Sequence, residues 1–221
     1  MEFLVTMTTT VPSGTSQEAI DEIRVREAAR SRELAAQGSL LRLFRPPLKP
    51  GEWRTLGLFA AEDGAELEKV LASMPLRVWR SDEVTPLAPH PNDPAASTGV
   101  VSGTSGDGGA GAEAAQPAKE FFTTFLVKFP QGTPDETVAD AYAREADRAH
   151  ELAVQGNLER LWKLPVEPSE PDVTRALGLW RARDAAEMQA MLDSLPLDPW
   201  MTVQTTPLSE HPSDPAIVGG P

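Results

Sequence analysis

The chain repeats itself, and the repeat limits what it can fold into. EFLVTMTTTVPSGT, starting at Glu2, returns as EFFTTFLVKFPQGT, starting at Glu120. REAARSRELAAQGSLLRLFR, starting at Arg26, returns as READRAHELAVQGNLERLWK, starting at Arg144, with the same offset. After a short insertion in the second copy, LGLF matches LGLW, LASMPL matches LDSLPL, and TPLAPHPNDPA matches TPLSEHPSDPA. Copies at residues 1–96 and 119–216 are each long enough to bury a core of their own. Between them, residues 97–118 are rich in Gly, Ser and Ala, a composition expected to act as a flexible tether.

Each copy reads as strand, helix, strand, strand, helix, strand. The first strand is expected at Phe3 to Val11 and Phe121 to Phe129. A long helix follows over Gln17 to Gly38 and Pro134 to Gly156, with Gly38 and Gly156 in the place of a helix-ending glycine. The second strand is Leu40 to Arg45 or Leu158 to Lys163, and the third Thr55 to Ala61 or Arg175 to Ala182. Asp63 and Asp184 open the second helix as N-caps. The fourth strand is expected at Arg80 to Leu87 and Met201 to Leu208. This order is the ferredoxin-like α+β unit, an antiparallel sheet with both helices on one face. A lone unit leaves its other sheet face apolar, so the two copies are expected to form an intrachain pseudo-dimer of the dimeric α+β barrel type.

The long helix carries a polar residue where an apolar one belongs. Ile20, Ile23 and Leu34 make one stripe, and Glu27 lies on it, seven residues from Ile20 and from Leu34. Val138, Glu145 and Leu152 repeat the pattern in the second copy. Seven residues return a helix to within about 20° of its starting direction, so both carboxylates point where apolar groups point. Such a carboxylate is either ion-paired, with Arg24, Arg30, Arg42, Arg148 and Arg160 as candidates, or a general base whose proton affinity is raised by desolvation.

Alternation on the second strand puts Leu40, Arg42 and Phe44 on one face, and Leu158, Arg160 and Trp162 in the second copy. An arginine among apolar neighbours meets either a carboxylate or a ligand anion. Arg30 and Arg148, about 60° round the helix from the glutamates, could reach a cleft mouth. His90 and His211 each stand in H-P-x-D-P, as turn residues or as groups able to trade protons near neutrality.

The formal net charge of −13 argues against nucleic acid or an anionic membrane as partner. With no cysteine and three scattered histidines, thiolate chemistry and a dedicated metal site are not expected. The N-terminal residues lack the pattern of a secretory signal and no apolar run is long enough to span a bilayer, so the expected location is cytoplasmic.

Taken in order, EF-[LF], R-E-x-x-R…E-L-A-x-Q-G-x-L-x-R-L-[FW]-[RK], L-G-L-[FW], L-x-S-[LM]-P-L and T-P-L…H-P resemble the muconolactone delta-isomerase family, in both copies. The resemblance implies ferredoxin-like units that assemble into homo-oligomers, a small-molecule substrate (an unsaturated lactone bearing a carboxylate) and a cofactor-independent reaction. That reaction is a 1,3-proton shift that moves a double bond, as in aromatic catabolism. On this resemblance Glu27 and Glu145 take the role of base, Arg42 and Arg160 bind the substrate anion, and His90 and His211 act as a second acid-base group. Ala28 and Ala146 stand where well-studied members have lysine, and Thr55 and Ala176 stand where a polar Asn or Tyr is expected. These departures keep open a cyclase or isomerase of a biosynthetic pathway, or a small-molecule binding protein, on the same fold. An assembly role without a pocket is a third possibility.

Overall fold

The computed structural model describes residues 1–98 and 118–218, so most of the expected tether lies outside the described residues. The first copy contains β1 (Glu2–Thr9), α1 (Gln17–Ala36), β2 (Leu40–Arg45), β3 (Arg54–Ala60), α2 (Gly64–Ala72), β4 (Arg80–Pro89) and the short α3 (Pro94–Thr98). The second contains β5 (Lys119–Val127), α4 (Asp135–Val154), β6 (Leu158–Lys163), β7 (Thr174–Ala182), α5 (Ala185–Asp193), β8 (Met201–Pro207), β9 (Ser209–Glu210) and α6 (Pro215–Val218). Turns of 3-10 helix at Pro75–Trp79 and Asp198–Trp200 precede β4 and β8.

The compact units are cut differently from the repeats. One unit holds Met1–Leu87 together with the described residues from Leu208 onward, and the other holds the described residues of Ala88–Pro207. Each unit therefore takes its closing segment from the other copy. In the first unit the strand order is β4-β1-β3-β2-β9, antiparallel throughout, with Phe44 opposite Glu210. In the second it is β8-β5-β7-β6, and Ala88 and Pro89 pair with Lys163 and Trp162. The α+β, ferredoxin-like character expected from sequence is present in both units.

Local chemistry explains the elements. Ser16 caps α1 by accepting the Ala19 N–H at 3.2 Å. Pro134 stands at that place in α4 and cannot do so, and Asp135 and Glu136 in the first turn complement the helix dipole instead. Both long helices end alike: Gly38 and Gly156 adopt φ of 74° and 78°. The amides of Gly38 and Ser39 close onto Ala35 and Leu34, and those of Gly156 and Asn157 onto Ala153 and Leu152. Asp63 and Asp184 cap α2 and α5 through Glu66 N–H and Glu187 N–H, both at 2.9 Å. The glycine of L-G-L-[FW] has a packing reason. A Cβ on Gly57 would strike the ring of Phe59, and one on Gly178 would strike Trp180, whose indole N–H donates to Thr123 Oγ1 at 2.7 Å.

In each unit a core lies between sheet and helices. In the first, Phe3, Val5, Met7, Leu40, Leu43 and Phe59 pack against Leu34, Leu67 and Leu71. In the second, Phe121, Phe125, Leu158, Leu161 and Trp180 pack against Ala149, Leu152, Met188 and Leu192. At about 1.5–3 kcal/mol per fully buried large apolar side chain, these faces fix how the long helices lie on the sheets. That in turn fixes where the inward glutamates point.

Candidate active site

Glu27 lies in the helix-sheet seam with its side chain 13% exposed. Both carboxylate oxygens are engaged. Oε2 accepts the Leu76 N–H at 2.8 Å, from the 3-10 turn, and Oε1 accepts Arg80 Nη1 at 3.2 Å. Arg80 comes from the first position of β4 and is itself buried, its side chain 1% exposed. Its Nε and Nη2 donate to the two oxygens of Asp82 at 2.6 and 3.1 Å. Asp82 also accepts from Arg77 Nη1 at 2.9 Å, and Arg77 reaches on to Glu68. Four charged groups thus interlock around Glu27. Burial raises its pKa above the ordinary carboxylate value, while the Leu76 amide and the Arg80 charge pull the other way and Asp82 adds a smaller upward push.

Glu145 repeats the backbone half of this arrangement only. Leu197 N–H donates to its Oε2 at 3.0 Å, and among the described residues its Oε1 accepts no hydrogen bond. Register makes the comparison strict. Arg80 pairs with Thr9 and Asp82 with Met7, while Met201 pairs with Val127 and Val203 with Phe125. So Met201 and Val203 hold the positions of Arg80 and Asp82, and both pack against the apolar core of their unit. Leu197 sits in an adjoining cluster with Val127 and Ala141, one helical turn before Glu145. Burial raises the Glu145 pKa, and the Leu197 amide alone opposes it.

The arginines expected from sequence are placed elsewhere. A bulge in β2 between Leu40 and Arg42 breaks the alternation, so Leu40 and Leu43 both enter the core. Arg42 and Phe44 then share the opposite face, with the guanidinium 4.6 Å from the ring centroid. The same bulge in β6 puts Arg160 over Trp162 at 4.7 Å. Expecting Leu40, Arg42 and Phe44 on one face is thereby corrected, and Arg42 and Arg160 stand across the sheet from the glutamates. Arg42 Nε and Nη2 donate to Asp214 at 3.1–3.2 Å, and Arg160 Nε and Nη2 to Asp93 at 3.2–3.3 Å. These buried aspartates also accept the Leu43 and Leu161 amides. Of the two partners left open for these arginines, the chain supplies a carboxylate. Arg30 and Arg148 tie the long helix to the end of the second helix, donating to Ser73 and Ser194 at 3.0 Å and to Glu33 and Glu151.

His90 and His211 do not reach the glutamates through any hydrogen bond in the described residues. Their Nδ1 atoms accept the Asn92 and Ser213 amides, which makes them turn residues. Burial, reinforced by Lys163 beside His90 and Arg45 beside His211, lowers both to about 4 against a weaker upward pull from Asp93 and Asp214. Both imidazoles are therefore neutral at pH 7. In the H-P-x-D-P motif it is the aspartate, passed over at the sequence level, that carries the buried contact. Arg80 and Asp82 were passed over as well. Their signal was two charges at strand spacing just after a tryptophan.

A cavity of about 320 Å³ in the second unit is lined by Leu126, Lys128, Glu170, Val173, Pro199, Trp200, Met201 and Thr202. Glu145 is not among the residues that line it. No helix of the described residues is long and apolar enough to cross a membrane.

Comparison with known proteins agrees with this architecture. Muconolactone Delta-isomerase 1 of Acinetobacter lwoffii is 36% identical over 92 residues, 42% of this chain and 93% of that protein. Muconolactone Delta-isomerase of Cupriavidus pinatubonensis is 32% identical over 92 residues, 42% of this chain and 97% of that protein. Two solved structures match nearly the whole chain in fold alone. One is a heme-binding protein from Thermus thermophilus (TM-score 0.55, 11% identity, 95% of this chain and 92% of that one). The other is a mutant chlorite dismutase from Candidatus Nitrospira defluvii (TM-score 0.51, 12% identity, 98% and 94%). The family model for muconolactone delta-isomerase matches twice, at residues 1–93 and 119–214. Homology at this level supports an isomerase, and the chain belongs to the muconolactone delta-isomerase family as a tandem-duplicated member.

Proposed function

We propose that the protein is a cofactor-independent isomerase that shifts a proton across three carbons of an unsaturated lactone bearing a carboxylate, in aromatic catabolism. The reading rests on family membership and on one observation: a carboxylate held inward in an apolar seam, with an oxygen that accepts no hydrogen bond from the described residues. The carboxylate takes a proton from one end of the C–C=C unit conjugated with the lactone carbonyl. The electron pair moves into the ring as a dienolate, and the neutral acid returns the proton to the other end. Nothing is oxidised or reduced, and the base is regenerated. An apolar setting suits both halves. It strengthens the carboxylate as a base, and it keeps the transferred proton from bulk water.

Proton-NMR of a carboxylated butenolide in D₂O with the full chain tests this. The expected result is migration of the double bond with deuterium incorporation at the receiving carbon. Because burial raises the pKa of the base, kcat should climb with pH through a midpoint above the ordinary carboxylate value and then level off. Binding without turnover across a butenolide panel would instead favour the binding-protein alternative.

A further inference from the structure

The two copies differ at the point that decides whether an inward carboxylate can accept a proton. In the first, Glu27 has Leu76 N–H on one oxygen and Arg80 on the other, and Arg80 is buried and bound by Asp82 through both its Nε and an Nη. A proton on Glu27 would weaken a charge-assisted hydrogen bond and leave the buried Arg80 with one carboxylate fewer. In the second copy Met201 and Val203 stand in place of Arg80 and Asp82, and Glu145 keeps one oxygen free of hydrogen bonds among the described residues. The groups facing Glu145 from the strand and the turn are apolar apart from the Leu197 amide.

We propose that the second copy alone carries the proton transfer, with Glu145 as its base, and that Arg80 is a clamp that turns the equivalent carboxylate of the first copy into a structural ion pair. The proposal rests on the isomerase reading for its reaction, but the asymmetry itself does not. The clamp is specific to the first copy because its guanidinium must enter from the first position of the fourth strand, where methionine has no charge to offer.

Full-length variants in the D₂O assay test the division. Glu145→Gln, which keeps the acceptor for Leu197 N–H, should lower kcat at least about 100-fold, within the range of a lost general base. Arg80→Met should keep kcat within about twofold of the unaltered chain. Retention of half or more of the activity in Glu145→Gln, or a loss in Arg80→Met as deep as that of Glu145→Gln, would overturn the proposal. Carbon-13 NMR titration of the glutamate side chains, assigned with Glu27→Gln and Glu145→Gln, gives a readout independent of turnover. Glu145 should titrate at higher pH than Glu27, and Arg80→Met should move Glu27 up toward it. The reverse order would overturn the proposal even if the lactone is turned over. Absence of turnover by the unaltered chain would sink the isomerase reading, while the titration order would still decide the asymmetry.

Discussion

The surroundings of Glu27 and Glu145 start from the same helix position, the same 3-10 turn and the same amide contact, and they end in different chemistry. In the first copy a carboxylate is surrounded by charges that satisfy one another. In the second the same carboxylate faces methionine and valine. A duplicated fold keeps backbone geometry while two side-chain changes alter what a shared acid can do. Other paired contacts stay alike. Arg42 with Asp214 mirrors Arg160 with Asp93, and Arg30 with Ser73 mirrors Arg148 with Ser194.

The largest expected effect lies where the copies agree. Asp214→Ala and Asp93→Ala each take a buried carboxylate away from a part-buried arginine and leave a buried amide unsatisfied, and each should cost about 3–5 kcal/mol in urea denaturation. Near-equal losses would support the mirror symmetry of these pairs, and a gap of more than about 2 kcal/mol would break it. Next is the place where the copies differ. Asp82→Ala leaves Arg80 short of its closest partner and should cost about 3 kcal/mol, whereas Val203→Ala trims a partly buried valine at about 1 kcal/mol. Equal costs would mean the charge network around Glu27 is no more than filler.

The comparison can also be run in reverse. Met201→Arg with Val203→Asp writes the first copy's clamp into the second. It should depress kcat about tenfold or more, equivalent to about 1.4 kcal/mol, through a lower proton affinity of Glu145. The smallest effect concerns the histidines. Their folded pKa of about 4 lies below the ordinary 6.5, so the folded state resists protonation that the unfolded chain accepts. Stability from this source is present above pH 6.5 and is lost as pH falls from there toward 4. His90→Gln and His211→Gln should each flatten that decline by on the order of 1 kcal/mol, discounted for partial exposure.

Much of this was legible in the sequence, and the reasons are local. Period, caps and terminal glycines set the helices, since Asp63 and Asp184 cap with their side chains the amides three residues on, and Gly38 and Gly156 act through their own backbone. The inward direction of Glu27 and Glu145 followed from sevenfold spacing. What a side chain meets across the sheet was not legible. A bulge at Leu40 shifts the face of Arg42, and strict alternation cannot anticipate it. The partner of Glu27 lies 53 residues away on another element, and that of Arg42 lies 172 residues away. Such pairings depend on register and on which segment closes which unit, and no local window holds either.

The exchange of closing segments bears on how such a gene could be shortened. Cutting between the copies would yield two fragments, each carrying the aspartate that its sibling's arginine requires and lacking the one it needs itself. Expressed singly, either half would find that aspartate only on a second copy of itself; mixed, the halves could supply each other, so the exchange ties the folding of each half to the presence of a partner.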